Sequence, residues 1–410
     1  MGAWSGNLAY ALVFVALVAT SVLLLASGTV RASRQRVAPA WHVWVFFAVV
    51  TGAQVGAVLL GRLSAMGLLQ AAVYFVSLLC AYFVLGVALR SSLPATVRSL
   101  ALLGVGLASP AVVAGVVGPF SLAGLEVHAT SWRIPVLGLR ATSGCFADEN
   151  YFAVILLVCL AAAAYAMTTA SGYPRLVWLL ASCLMACALV LTYSRAAYVG
   201  GALAGLTWIR GRRWLVPALA LFVGVPIVLW ITRTPVHVHE LAAFAQIDRG
   251  MSGREVLWQI AVARIAEHPW LGWGVGSVAE IIGRDTSYGS SHNTVLDFVL
   301  MAGVPGGFAY LLVVVVSVVP LATRARLDDP GSRFVLATVV GLLFAGQFTT
   351  HTLGGLSFGS MVTTMLLGYG NSHRRRRPRP RAVRPPSGTA STRTRPSLRA
   401  FRRASKQTEN

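Results

Sequence analysis

The chain has 410 residues, of which 56% are hydrophobic and only 11% are charged, and its mean hydropathy is +0.70. Soluble domains carry about 25% charged residues, so the composition excludes an ordinary soluble enzyme. The net charge of +21 is uneven, because residues 371–410 hold twelve arginines, one lysine and one glutamate.

Apolar windows of about 20 residues, the length that a helix needs to cross a bilayer, recur along the chain. They predict an all-α fold, a polytopic helical membrane protein with about 11–12 transmembrane helices. The windows are residues 7–27, 41–61, 67–89, 99–118, 150–170, 176–193, 196–209, 215–231, 293–320, 334–352 and 356–370.

The arginines set the predicted orientation, because cytoplasmic loops are enriched in basic residues. With the N-terminus outside and the C-terminus in the cytoplasm, short inner loops hold twelve arginines and short outer loops hold four. Two outer segments, 119–149 and 232–292, are long enough to be functional. Residues 1–370 are then the membrane domain and 371–410 a disordered basic tail, expected to contact anionic lipid headgroups rather than nucleic acid.

Two arginines stand at helix ends, where a charge needs an explanation. Arg195, in LTYSRAAYVGG, lies at the outer end of a predicted span, which suits either snorkelling to the headgroups or a phosphate partner. Arg254 falls in the first turn of an amphipathic helix predicted over 253–267 after an N-cap at Ser252, where a cation opposes the helix dipole. An anionic ligand would explain both positions.

The stretch SSHNTVLDFVLMAG (290–303) places polar residues directly before an apolar span. Ser290 or Ser291 is the predicted N-cap, and the helix N-terminus would offer amide donors to a phosphate. His292 beside that end is expected to stay neutral, as a general base must, and the alternative is a cap or packing residue. Asp297 is the clearest charge inside a predicted span.

The first long outer segment ends in GCFADENYFA (144–153). Asp148 and Glu149 are interpreted as helix-capping acids, with sugar hydroxyls or a divalent ion as the alternative partners. No histidine or third acid lies nearby in the sequence, and neither a metal nor a cofactor is predicted.

These pieces follow a recognisable order: an SR at an outer helix end, then GR…W…HPWLGWGVG, then SHNT…L…AGVPGG. Over roughly residues 140–320 this order resembles the O-antigen ligase and polymerase family of bacterial membrane glycosyltransferases. The resemblance implies a GT-C-like helical fold in the bacterial cytoplasmic membrane. It further implies metal-independent transfer of a glycan from a lipid-linked oligosaccharide, an undecaprenyl-type diphosphate, to a glycan, lipid or protein acceptor at the outer face.

The resemblance also implies roles for individual residues. Arg195 and Arg254 would hold the donor diphosphate and His292 would assist the acceptor hydroxyl. Possible substrate contacts are Asn150, Ser291 and Asn293. The sequence does not separate ligase from polymerase. The alternative function is a transporter or flippase of lipid-linked glycan, which the near absence of ionisable groups within the spans disfavours.

Overall fold

A computed structural model of the protein describes residues 2–27, 35–37, 40–63, 65–122, 124–135, 137–209, 254–286, 288–326 and 329–374. The described residues up to His373 form one compact unit. The predictions made for the span 215–231, the beginning of the second long segment, Ser252 and nearly all of the basic tail lie outside the described residues.

The fold is that of a polytopic helical membrane protein, as predicted. Five of the described helices are long and apolar enough to cross a membrane. The helices are α1 (Gly2–Ala26), α2 (Trp41–Leu59), α3 (Ala65–Leu79), α4 (Gly86–Val117), α5 (Glu149–Thr169), α6 (Tyr173–Leu191), α7 (Arg195–Ile209), α8 (Arg254–Glu267), α9 (Val278–Asp285), α10 (Thr294–Arg326), α11 (Pro330–Ala345) and α12 (Phe358–Asn371).

One end of the helix bundle, which we call the polar end, collects the N-termini of four helices. Ser194, just before α7, donates from Oγ to Asn150 Oδ1 of α5 at 2.8 Å. The Phe358 amide of α12 donates to Tyr151 Oη of α5 at 3.1 Å. The Thr294 amide of α10 donates to the carbonyl of Gly346, just beyond α11, at 2.8 Å. Helix α11 runs antiparallel to α5, because ring contacts join its N-terminal half to the C-terminal half of α5.

The opposite end of the bundle holds arginines. Arg90 donates to Ser372 Oγ at 3.3 Å, and Arg324 donates to the carbonyl of Gly370 at 3.0 Å. Both acceptors lie at the C-terminal end of α12, where cations complement the helix dipole. The structure therefore separates these two arginines from the polar end, and which end faces the cytoplasm stays a prediction.

The predicted loop at 90–98 is wrong, because residues 65–117 are helical throughout, with a π-helical segment at Cys80–Leu85. The run nevertheless reverses direction across the bundle. Leu78 packs on Gly354, just before the N-terminus of α12, and Gly86 packs on Gly368, near the C-terminus of α12. Gly115 then packs on Leu191, back at the polar end. A bent, unbroken helix thus replaces two spans joined by a loop.

The first long segment contains a sheet that the sequence analysis did not predict. Strands β2 (Phe120–Leu122), β3 (Leu125–Arg133) and β4 (Arg140–Gly144) form an antiparallel meander. Buried Ile134 and Ala141 pack on Leu191, which fixes the meander to the polar end. Two further short strands, β1 (Gln35–Val37) and β5 (Ser372–Arg374), form a separate two-stranded sheet.

Helix α10 is broken at Ala302 and Gly303, whose backbone angles are not helical. The motif HPWLGWGVG forms the loop that fills the break, and non-helical backbone inside a membrane is tolerated where protein groups satisfy it. A Cβ on Gly303 would lie 2.4 Å from the backbone of Trp270, so this position requires glycine. The bonds across the break join Trp273 N to Leu300 O (2.8 Å), Gly274 N to Met301 O (2.9 Å) and Val304 N to Pro269 O (2.7 Å).

Candidate functional site

The capping interpretation of Asp148 is confirmed. Asp148 is the N-cap of α5, and its Oδ1 accepts a hydrogen bond from the Tyr151 amide at 2.7 Å. Asn150, one residue into the helix, accepts from Ser194 Oγ and so ties the start of α5 to the start of α7. The acidic cap and the amide therefore both lie at the polar end.

Arg195 is the first residue of α7 and is half-buried. Its neighbour Ser194 is buried and bonded to Asn150, which fixes the backbone at this turn. Tyr193 adopts a left-handed φ of 54° and packs its ring edge-on against Trp132 of the meander at 5.2 Å. A guanidinium held in this way, partly removed from water, suits bidentate binding of a phosphate.

Arg254 begins α8, the helix predicted over 253–267. Its guanidinium carbon lies 5.8 Å from the centre of the Phe348 ring, a cation–π contact, and Trp258 lies 6.4 Å from the same ring. Leu257 and Ala261 bury the apolar face of α8 in a small cluster shared with α9 and α10. The helix is thereby anchored, and it carries Arg254 to the polar end.

His292 precedes α10 and adopts a left-handed φ of 53°, which is uncommon for a residue other than glycine. Its ring is half-buried and packs edge-on against Tyr288 at 5.3 Å. Burial lowers the pKa of His292, and the nearby Arg254 cation lowers it further, while Asp148 acts in the opposite direction. Charges from α5 and α8 therefore converge on this imidazole, which favours its neutral form as predicted.

The predicted phosphate site at the N-terminus of α10 is wrong, because protein acceptors already occupy its first amides. The N-cap is Asn293 rather than Ser290 or Ser291, since Asn293 Oδ1 accepts from the Val295 amide at 3.0 Å and from the Leu296 amide at 3.1 Å. The Thr294 amide bonds to Gly346, as described above. Ser291 and Asn293, which the sequence predicted as possible substrate contacts, form side-chain hydrogen bonds within the protein instead.

A loop that the sequence analysis missed completes the polar end. Residues 346–352 were predicted within a span, but α11 ends at Ala345 and the chain is not helical again until Phe358. Thr294 Oγ1 donates to the Gly346 carbonyl at 2.8 Å and accepts from the His351 amide at 3.0 Å. Burial lowers the pKa of His351 to about 4, so this imidazole is neutral. The loop between these bonds carries Phe348, the ring beneath Arg254.

Asp297 lies at the centre of the buried contacts in this region, with 1% of its surface exposed. Its Oδ1 accepts from the Ser291 amide at 3.0 Å and from Ser291 Oγ at 2.6 Å. Its Oδ2 accepts from Thr350 Oγ1 at 2.7 Å. The one clear acid inside a predicted span is therefore fully engaged with the two loops on either side of it.

The site residues predicted from the sequence thus lie at one end of the molecule. Arg254 and Asp148 are close enough to His292 to shift its pKa, and Arg195 directly follows Ser194, which is bonded to Asn150. The ring of His268 packs edge-on against that of Trp273, with the ring centres 4.4 Å apart. Among the described residues, no three His, Cys, Asp or Glu side chains cluster closely enough to hold a metal ion.

Residues 180–311, about a third of the chain, match the family model described as O-antigen ligase. No curated protein matches the chain. The matched segment runs from α6 into α10 and includes Arg195, Arg254 and His292. This match bears out the resemblance seen in the motifs: residues 180–311 are similar to the O-antigen ligase family.

Proposed function

We propose that the protein transfers a glycan from a polyprenyl-diphosphate donor to an acceptor hydroxyl. The family match supports O-antigen ligase-like glycan transfer in surface polysaccharide assembly. The observation that carries the finer proposal is the convergence of Arg254 and Asp148 on a neutral His292. Diphosphate binding and deprotonation of a hydroxyl are the two tasks that such a transfer requires.

In the proposed reaction the acceptor oxygen attacks the anomeric carbon of the donor sugar. The bond from that carbon to the diphosphate oxygen breaks, and polyprenyl diphosphate leaves with the electron pair. Arg195 and Arg254 stabilise the charge that develops on the leaving group, which is worth most where water is partly excluded. His292 accepts the hydroxyl proton, and no metal takes part in the proposal.

Asn150 is the proposed sugar contact, because it lies between the Asp148 cap and Ser194 at the polar end. For Ser291 and Asn293 we now propose a supporting role. Ser291 is buried and bonded to Asp297, and Asn293 caps α10, so both position the turn that carries His292.

The proposal places the polar end at the outer face of the bacterial cytoplasmic membrane, with the basic tail in the cytoplasm against anionic headgroups. This orientation follows from the arginine distribution in the sequence. It also gives the lipid tail of the donor access to the apolar surfaces of the helices, while its diphosphate stays at headgroup level.

The test is the purified full-length protein in liposomes, given a polyprenyl-diphosphate oligosaccharide as donor and a second lipid-linked glycan as acceptor, and assayed with EDTA present. We expect glycan transfer, measured by mass spectrometry, together with release of polyprenyl diphosphate. A flippase would instead move the donor between leaflets and leave its anomeric bond intact. Transbilayer movement of donor without product would therefore replace the transferase proposal with the transporter.

A further inference from the structure

We infer that Asp297 is a positioning residue, which sets the placement of both His292 and Arg254 through two loops. The inference rests on the proposed function, since it gives Asp297 a task in the same transfer. Asp297 itself lies in the first turn of α10 and is almost fully buried, so it does not contact a substrate from there.

The first connection runs to His292. One carboxylate oxygen of Asp297 accepts from both the amide and the hydroxyl of Ser291, the residue directly before His292. These bonds clamp the turn at the point where His292 takes its left-handed backbone conformation. A non-glycine residue holds such a conformation when the surrounding structure enforces it.

The second connection runs to Arg254. The other carboxylate oxygen accepts from Thr350 Oγ1, in the loop that follows α11. Two residues earlier in this loop lies Phe348, whose ring supports the guanidinium of Arg254. Because a single carboxylate bridges both loops, it fixes the distance between His292, the proposed base, and Arg254, which is proposed to bind the diphosphate.

The contacts point to hydrogen-bond geometry rather than to negative charge as the contribution of Asp297. Its acceptors face one amide and two hydroxyl groups, and no arginine, lysine or histidine among the described residues is bonded to it. An asparagine could keep this arrangement: its oxygen would accept from Ser291, and its NH₂ group would donate to the Thr350 hydroxyl, which can reverse its role. Alanine would remove the acceptor of the Ser291 amide and of the Thr350 hydroxyl, whereas the Ser291 hydroxyl would keep the Asn293 carbonyl at 3.1 Å.

The experiment compares Asp297→Ala and Asp297→Asn in full-length protein, with a polyprenyl-diphosphate oligosaccharide as the probe. We expect Asp297→Ala to lower kcat about 100-fold and to change the donor KM less than about threefold, because a misplaced base slows the chemical step. Asp297→Asn should stay within about fivefold of the wild type. Equal losses in the two variants would overturn the geometric role.

A double-mutant cycle shows whether Asp297 acts through His292. In a His292→Ala background, Asp297→Ala should cause a much smaller loss of kcat than in the wild type, because the base is already absent and only the effect through Arg254 remains. The same 100-fold loss in both backgrounds would overturn the inference. If His292→Ala alone were near normal, the proposed base would fail instead, so the two failures are distinguishable.

A matched control and a milder variant keep the test interpretable. Asp329 caps α11 and accepts from the amide and hydroxyl of Ser332, the same type of bonds, at the arginine-bearing end. Asp329→Ala should therefore lower stability but leave kcat near normal. If Asp297→Ala does not fold, Thr350→Val removes one bond only: a kcat about five- to tenfold lower, restored by Thr350→Ser, supports the inference, and an unchanged kcat overturns it.

Discussion

The hydroxyl of Thr294 is expected to hold the loop after α11 in place. Thr294 is 1% exposed, and its Oγ1 is the acceptor for the His351 amide at 3.0 Å. In Thr294→Val this amide becomes a buried donor without a partner, at a cost of about 1–3 kcal/mol. The Gly346 carbonyl keeps its bond from the Thr294 amide, so only the His351 amide loses its hydrogen-bond partner.

At about 2–4 °C per kcal/mol for a mid-sized domain, Thr294→Val should lower Tm by about 2–12 °C. Hydrogen exchange of the 346–351 amides should speed up, and Thr294→Ser should restore both values. The control is Thr338→Val, which is also fully buried but bonds only to the Phe334 carbonyl within its own helix. Equal effects of the two valine variants on Tm and exchange would refute the reasoning.

The other predictions concern the charged groups. Arg195→Lys and Arg254→Lys should lose nearly as much transfer as the alanine variants, because lysine cannot form a bidentate fork with a phosphate; a fully active lysine variant would contradict this. Transfer should fall as pH drops through the pKa of His292, which lies below 6.5, and Arg254→Gln should move this acidic limb of the kcat/KM profile to higher pH, because a cation that lowers the pKa is removed. An acidic limb that stays at the wild-type pH in Arg254→Gln would show that Arg254 does not lower the pKa of His292. Deletion of residues 375–410 should leave transfer largely intact in correctly inserted protein, and loss of turnover there would show a direct role for the tail.

Hydropathy predicted most of the described helices because each apolar segment is long enough to be recognised without tertiary information. It failed where tertiary contacts decide. The segment around Arg90 reads as a polar break, but the helix continues through it and bonds to Ser372 at the end of α12. Hydropathy also assigned the segment after Ala345 to a span, because its apolar neighbours outweigh the polar sequence GQFTTH. In the structure this segment forms hydrogen bonds to Thr294 and Asp297 of α10.

The candidate site was predictable in its charged residues and less so in its supporting contacts. Arginine and histidine at helix ends stand out in an apolar sequence, whereas SSHN offers several capping residues in a row. The Thr294 bond to Gly346 fixes where α10 begins and thereby makes Asn293 the cap. Asp297 carried a signal that could have been followed further, because a buried acid needs donors, and Ser291 and Thr350 provide them.

If His292 removes the acceptor proton while two arginines hold the donor, loss of the imidazole should slow transfer without releasing the donor. The most direct test measures single-turnover transfer and donor retention separately in His292→Ala, with lipid-linked donor bound to the purified protein. We expect a rate lower by about 10²–10⁴, the usual range for a general base, with donor still retained. Transfer at a near-normal rate in His292→Ala would contradict it.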